Sequence, residues 1–285
     1  MPAPLPVTVD DASPLISYDP PTLWFQETLD DAFLGSSSLT KYSGASLTLR
    51  FEGNWVNVTG WKGPWHGNYT VTLDQSTYSL SGRTTTNHLI RTTLFSSGTI
   101  GEGNHTLQIV NEEWDNLQID SISYACLLSG SNSTNAPLQT TKFEDTDGSF
   151  SYYPKGVWDV GPPNPENPKD HAGHSISMPN AYVNFTFSVG DAVSIYGTTG
   201  PGHSTYSVSR SDQPAQQFTA NRERNSSDVL LYIGTNFGPG NHTISLVSQD
   251  SGLFQISYAE VHSAVEEFAT SCVNFSASRF PAQHH

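Results

Sequence analysis

A short stretch with the means to grip a ligand is written twice in this chain. Gly63-Pro64-Trp65-His66-Gly67-Asn68-Tyr69 returns as Gly200-Pro201-Gly202-His203-Ser204-Thr205-Tyr206. Gly-Pro marks a turn, and a His and a Tyr held beside a rigid turn offer hydrogen bonds and an aromatic face. Trp61 precedes the first copy and Trp65 lies within it, so this turn carries what sugar recognition needs: rings for apolar C–H faces and polar groups for hydroxyls. Trp61, Trp65, His66 and Tyr69 are the expected ligand contacts of the first copy, with His203 and Tyr206 in the second, where Gly202 replaces Trp65. Trp114, within Asn111-Glu112-Glu113-Trp114-Asp115-Asn116, has no counterpart in sequence and is a further expected contact. The first copy should therefore bind more strongly than the second.

The other chemistries are weaker. A glycosidase needs two carboxylates at a defined separation. Glu52, Glu112, Glu113, Asp115, Asp159, Asp170 and Asp191 are available, and nothing in the sequence pairs them. If the chain were a hydrolase, the groove between two domains would hold the pair. His171-Ala-Gly-His174 beside Asp170 lacks a helical metal-binding framework and reads as a solvated loop. No Gly-x-Ser-x-Gly elbow and no phosphate-cradling glycine motif is present. The formal net charge of −15 disfavours nucleic acid and anionic membrane surfaces, and no apolar run is long enough to span a bilayer.

The elements that must position these residues repeat too. Asp11, Tyr18, Pro20 and Trp24 recur 134 positions on as Asp145, Tyr152, Pro154 and Trp158, which favours packing roles for the tryptophans. Leu47, Leu49 and Phe51 alternate with Ser46, Thr48 and Arg50; Val183, Phe185 and Phe187 alternate with Tyr182, Asn184 and Thr186. Period two means one buried and one solvated face. Gly101 to Ile109 matches Gly238 to Leu246 at an offset of 137, as does His66 with His203. Each copy then ends in Ile-Ser-Tyr-Ala, at 122–125 and 256–259, which returns the offset to 134 and predicts a three-residue deletion in the second copy. Between Glu27 and Gly44, and between Gly161 and Pro179, the composition reads as loop. The chain is therefore expected to be all-β, with two tandem antiparallel β-sandwich domains of about eight strands each over 7–126 and 142–262. A Ser/Asn-rich linker at 127–141 would join them, with a tail at 263–285.

Eight Asn-x-Ser/Thr sites, at Asn57, Asn68, Asn104, Asn132, Asn184, Asn225, Asn241 and Asn274, suggest a secreted glycoprotein. In that compartment a bond between Cys126 and Cys272 would strap the tail onto the first domain.

The run Gly-x-His-Thr-Leu-x-Ile … Leu-x-Ile-Asp-Ser-Ile-x-Tyr resembles the galactose-binding-like jelly roll shared by many carbohydrate-binding modules. The openings, Val-Asp-Asp … Ile-Ser-Tyr … Trp and Phe-Glu-Asp-Thr-Asp-Gly-Ser-Phe-Ser-Tyr … Trp, resemble tandem domains in secreted or surface proteins of mushroom-forming fungi. The resemblance covers nearly the whole chain and implies jelly-roll folds, with a glycan or polysaccharide partner. It also implies a structural calcium in the first copy, held by Asp120 with Asp10 or Asp11, while the second copy has Phe254 at the Asp120 position by the 134 offset. No other cofactor is implied. The leading expectation is carbohydrate binding through loop aromatics. The alternatives are a glycoside hydrolase and a structural or adhesive cell-wall glycoprotein.

Overall fold

Alternating apolar residues become strands wherever one face can be buried, and this chain does so twice over with the same order of elements. The structure is a computed structural model; it describes residues 3–128, 137–161, 173–211 and 213–264. The first half contains β1 (Ala3–Asp10), β2 (Ile16–Asp19), β3 (Phe25–Thr28), β4 (Ser36–Thr40), β5 (Ser46–Gly53), β6 (Trp55–Lys62), β7 (Asn68–Leu73), β8 (Ser76–Ser81), β9 (Ile90–Ser96), β10 (Gly103–Asn111) and β11 (Leu117–Leu128). The second contains β12 (Leu138–Glu144), β13 (Phe150–Tyr153), β14 (Asp159–Gly161), β15 (Gly173–Ile176), β16 (Tyr182–Phe187), β17 (Ala192–Thr199), β18 (Thr205–Arg210), β19 (Gln213–Thr219), β20 (Ser226–Gly234), β21 (His242–Ser248) and β22 (Phe254–Ala264). All named pairings are antiparallel. In the first half β3-β4-β11-β6-β9 forms one sheet, with β1 also on β11, and β2-β5-β10-β7-β8 forms another. The second half repeats both orders, as β14-β15-β22-β17-β20 with β12 on β22, and β13-β16-β21-β18-β19. No helix among the described residues is long and apolar enough to cross a membrane.

The two sheets of the first half bury their inward residues together, Leu47, Leu49, Val71, Leu107 and Ile109 from one and Val9, Val56, Val58, Ile119 and Ile122 from the other. Phe185, Tyr206, Ile244 and Leu246 meet Ile195, Leu231, Phe254 and Ile256 in the second. The first cluster does not stop at the first half. It takes in Ala192 and Leu230 and packs against Tyr196 and Ile233.

Among the described residues each half has eleven strands where about eight were expected, and the two stretches that read as loops contribute β4 and β15. Ser36–Thr40 is β4, and its serines are buried. Buried hydroxyls need partners. Ser36 and Ser38 each donate to Asp11 at 2.7 Å, and Ser37 accepts from Gln118 at 2.9 Å. A strand whose buried face is hydroxyls rather than hydrocarbon carries no apolar alternation, so composition cannot reveal it.

The last strands correct the alignment of the two copies. Asp11 donates its backbone N–H to the carbonyl of Asp120 (3.0 Å), and Asp145 donates to that of Ser257 (3.1 Å). A Cβ on Gly60 would collide with the carbonyl of Gln118, and one on Gly197 with that of Gln255. Val9 opposes Ile122 and Phe143 opposes Ala259. The offset therefore stays at 137 through β11 and β22, no residues were deleted, and the two Ile-Ser-Tyr-Ala runs are not equivalent. Ser257, not Phe254, stands where Asp120 does.

One tertiary hydrogen bond is preserved with little change. Tyr69 Oη donates to the Leu94 carbonyl at 2.8 Å, and Tyr206 Oη to the Leu231 carbonyl at 2.7 Å. Both tyrosines are buried. Removing the hydroxyl leaves a buried acceptor unpaired, so Tyr69→Phe and Tyr206→Phe should each lose about 1–2 kcal/mol in chemical denaturation. A variant as stable as the parent would show that water replaces the hydroxyl.

Candidate aromatic rim and inter-half groove

The sequence placed seven residues at a binding surface, and the structure separates them by burial. Trp61 is 3% exposed, flanked within its sheet by Gln118 and Arg91. Tyr69 and Tyr206 belong to the cores. His66 and His203 point inward at 1% and 8% exposure. The Gly-Pro turn makes room for this: an added Cβ at Gly63 would lie 3.0 Å from His66 Nδ1, and at Gly200 2.9 Å from His203 Cε1. Both His rings have pKa values lowered by burial. Neither ring nitrogen of His66 has a hydrogen-bond partner, while His203 Nε2 lies 3.1 Å from Thr198 Oγ1. Trp61, His66, Tyr69, His203 and Tyr206 are thus structural and present no face to a ligand. The glycine three residues before each histidine was the signal for an inward ring.

Trp65 and Trp114 remain, at 69% and 74% exposure. They sit on adjacent loops, β6–β7 and β10–β11, which are tied through backbone. Asn116 N–H donates to the Trp65 carbonyl (2.9 Å), and Gly67 N–H to the Asn116 carbonyl (3.0 Å). Trp114 packs edge-on to Tyr42 with centroids 5.8 Å apart, and Tyr42 lies 6.3 Å from Phe25. Beside them Arg83 Nη2 meets Glu113 (2.7 Å) and Asp115 (2.6 Å). Glu113 also accepts from the Asn68 side chain (2.8 Å) and backbone (3.1 Å). The result is an aromatic rim bordered by ordered donors and acceptors. In the second half Leu253 N–H donates to the Gly202 carbonyl at 3.0 Å, so Gly202 and Ser251 occupy the places of Trp65 and Trp114. The second rim has no aromatic face at these positions.

Among the described residues the candidate carboxylates do not form a catalytic pair. Glu113 and Asp115 are brought together, but both are ion-paired to the same nitrogen of Arg83. Glu112 is exposed on the same loop, Asp159 is exposed on β14, and Asp191 caps the Ala264 N–H at 3.0 Å. Asp170 and His171 lie outside the described residues. Glu52 lines the groove between the halves, where its carboxylate accepts from Thr235 and from Asn236. It is the one carboxylate among the described residues that line this groove, and these residues assemble no pair there.

The calcium expectation also fails on its ligands. Asp120 is already paired with a cation: Arg91 reaches it at 2.8 Å through Nε and 2.5 Å through Nη2, with the Phe33 N–H at 2.8 Å. Asp11 accepts from Ser36, Ser38 and Gln26. Asp10 caps the Ala12 N–H at 2.9 Å, and its other oxygen has no partner. Burial pushes Asp11 up to about 6 and raises Asp10 and Asp120, which favours protons on this cluster. Among the described residues no three acidic, His or Cys groups are placed to hold a metal. In the second half His174 replaces Ser38 and Ser257 replaces Asp120. His174 Nδ1 lies 2.5 Å from Asp145, with its ring stacked on Tyr152 at 4.0 Å. This histidine is therefore an ordered strand residue rather than part of a solvated loop.

Cys126 is a buried free thiol, its sulfur 3.7 Å from the Leu5 carbonyl. Cys272 lies outside the described residues, as do Asn132 and Asn274, so the strap between the cysteines is not shown. Of the remaining glycosylation sequons, Asn68, Asn104, Asn225 and Asn241 are exposed, and Asn57 and Asn184 are half-buried.

No protein-family model and no curated protein matches the chain. Among solved structures it is similar to a Paenibacillus xanthan lyase, at 11% identity and a TM-score of 0.33, over 85% of this chain and 25% of that one. It is also similar to the tandem CBM22-1–CBM22-2 domains of Paenibacillus barcinonensis Xyn10C, at 9% identity and a TM-score of 0.26, over 91% of this chain and 86% of that one. A third similarity is to truncated AlyQ with CBM32 and alginate lyase domains, at 10% and 0.24, over 92% of both chains. The chain spans a quarter of the length of the first of these.

Proposed function

We propose that this chain is a secreted glycan-binding protein built from two jelly-roll sandwiches, with Trp65 and Trp114 as the contact surface of the first. The observation that carries this reading is a pair of tryptophans, each about two-thirds or more exposed, on loops locked to one another by backbone hydrogen bonds. Large exposed rings lose apolar hydration when covered, and rings fixed in advance lose little entropy on binding. Sugar C–H faces fit such rings, while Arg83, Glu113, Asp115 and Asn68 supply donors and acceptors for hydroxyls. The second half, with Gly202 and Ser251 at these positions, binds weakly or not at all by this surface.

Secretion and glycosylation belong to the same proposal. Asn104, Asn225 and Asn241 are exposed enough to carry glycans, whereas a glycan on Asn68 would compete with its bond to Glu113.

Retention on a panel of insoluble polysaccharides tests the reading. Trp65→Ala and Trp114→Ala should each weaken binding at least about tenfold, roughly 1.4 kcal/mol, and together abolish it. Both residues are exposed, so folding should be unaffected. Binding unchanged in the double variant would overturn the assignment.

A further inference from the structure

Between the two halves lies a groove of about 760 Å³. Its floor is the outer face of β2, β5 and β10, including Thr48, Arg50 and Thr106, and one wall includes Arg210 and the glutamines of β19. That volume falls within the range of ligand-holding clefts. The walls are fixed relative to one another by bonds between the halves. Glu52 accepts from Thr235 and Asn236, and the Gln26 backbone N–H donates to Glu223 at 2.7 Å.

Among the described residues that line it, the charge of this groove runs against that of the molecule. The chain carries −15, yet two guanidiniums line the groove against one carboxylate, and that carboxylate is engaged by a hydroxyl and an amide. Arg210 is held in place, donating to the Thr235 carbonyl at 2.8 Å with its guanidinium 4.0 Å from the centre of the Phe237 ring. Arg50 is exposed in the middle of β5, and none of the described hydrogen bonds or ion pairs uses its side chain. Gln213, Gln216 and Gln217 lie exposed along β19. Amides can bridge adjacent hydroxyls as donor and acceptor, and a guanidinium matches a carboxylate with two parallel bonds.

We propose that this groove is a second binding site, separate from the rim, and that it takes an acidic oligosaccharide whose uronate carboxylates pair with Arg50 and Arg210. The glutamines and Thr48 and Thr106 contact the hydroxyls between them. The proposal does not depend on the tryptophan rim, which would bind a different part of a glycan or a different glycan.

Isothermal titration of the full chain with tetragalacturonate tests it. The expected result is saturable binding that weakens with added salt, falls at least tenfold in Arg50→Ala, falls less in Arg50→Lys, and falls in Gln217→Ala. Trp65→Ala with Trp114→Ala should leave it unchanged. No binding, or binding insensitive to Arg50→Ala, would overturn the site. Loss in the tryptophan double variant would assign tetragalacturonate to the rim and overturn the groove. A tetraglutamate peptide that binds as tightly would show that charge alone is read and would overturn the glycan assignment. Arg50 and Gln217 are exposed strand residues, and an unchanged thermal midpoint verifies that the variants fold.

Discussion

Replacing Arg222 with alanine is expected to destabilise the chain by about 3–5 kcal/mol and to split its unfolding into two steps. Arg222 belongs to the second half but donates to three carbonyls of the first: Ala12 (3.1 Å), Ser13 (2.7 Å) and Ile16 (3.0 Å). Those three residues are buried. The guanidinium also sits 5.7 Å from the centre of the Tyr18 ring. Each buried carbonyl that loses its donor costs about 1–3 kcal/mol; the Ser13 carbonyl keeps the Ile16 N–H at 3.2 Å, and water entering the gap offsets part of the loss at the others. The same contact joins the cores, because Ser13 Oγ donates to the Leu230 carbonyl at 2.6 Å and Leu230 packs within the first cluster. Lysine at 222 should not restore stability, since one ammonium cannot reproduce the fork that serves separated acceptors. Tryptophan fluorescence during urea denaturation is a suitable probe, because five of the six tryptophans (24, 55, 61, 65 and 114) lie in the first half. Circular dichroism follows both halves. Coincident single transitions by both probes, with a midpoint unchanged from the parent, would remove Arg222 from this role.

The second large effect is a loss of stability in acid traceable to His262. This histidine is 6% exposed on β22, with Nδ1 2.9 Å from Thr140 Oγ1 and Nε2 3.1 Å from Ser194 Oγ. Hydroxyls adapt to the neutral ring, and burial lowers its pKa from 6.5 to about 4. The unfolded chain therefore binds the proton more tightly than the folded one. Stability is complete above the unfolded value and is lost as the pH falls toward the folded value. Between pH 7 and pH 4 this linkage removes about 3 kcal/mol. His262→Gln retains a hydrogen-bonding side chain without the titration. The stability difference between parent and variant should therefore fall by about 3 kcal/mol over that interval. Comparing the two cancels the opposite contribution of Asp10, Asp11 and Asp120, whose raised values favour the folded state in acid. A difference independent of pH would refute the assignment.

How much of this could be read beforehand depends on whether a residue's surroundings are local. The alternation of Leu47, Leu49 and Phe51 is a local pattern, and it led directly to β5 and β16. The packing of Trp24 and Trp158 followed from shared register: they lie 4.8 and 4.9 Å from Tyr18 and Tyr152. The serines of β4 could not be read, because what keeps them buried is Asp11, distant in sequence. Trp61 looked like a turn residue but is the penultimate residue of β6, near register shifts on both sides of that strand. His66 and Tyr69 looked like ligand contacts because polar and aromatic residues serve cores and surfaces equally well. Trp65 and Trp114 were legible singly as rings on turns, but their adjacency depends on a loop pairing forty-nine positions apart. The groove was anticipated as a place, and its charge was not, since Arg50 and Arg210 meet only when the halves do.

The collision built into Gly60 and Gly197 bears on ancestry. Each glycine leaves room for the carbonyl of a glutamine 58 positions later, from 60 to 118 and from 197 to 255. Any side chain at either place would push two central strands apart, whatever happens to the loops. Descendants of the founding gene can trade tryptophans for glycines on their rims and still be recognised as kin by that spaced pair. The Ile-Ser-Tyr-Ala run, by contrast, is a coincidence of spelling that would misalign them by three.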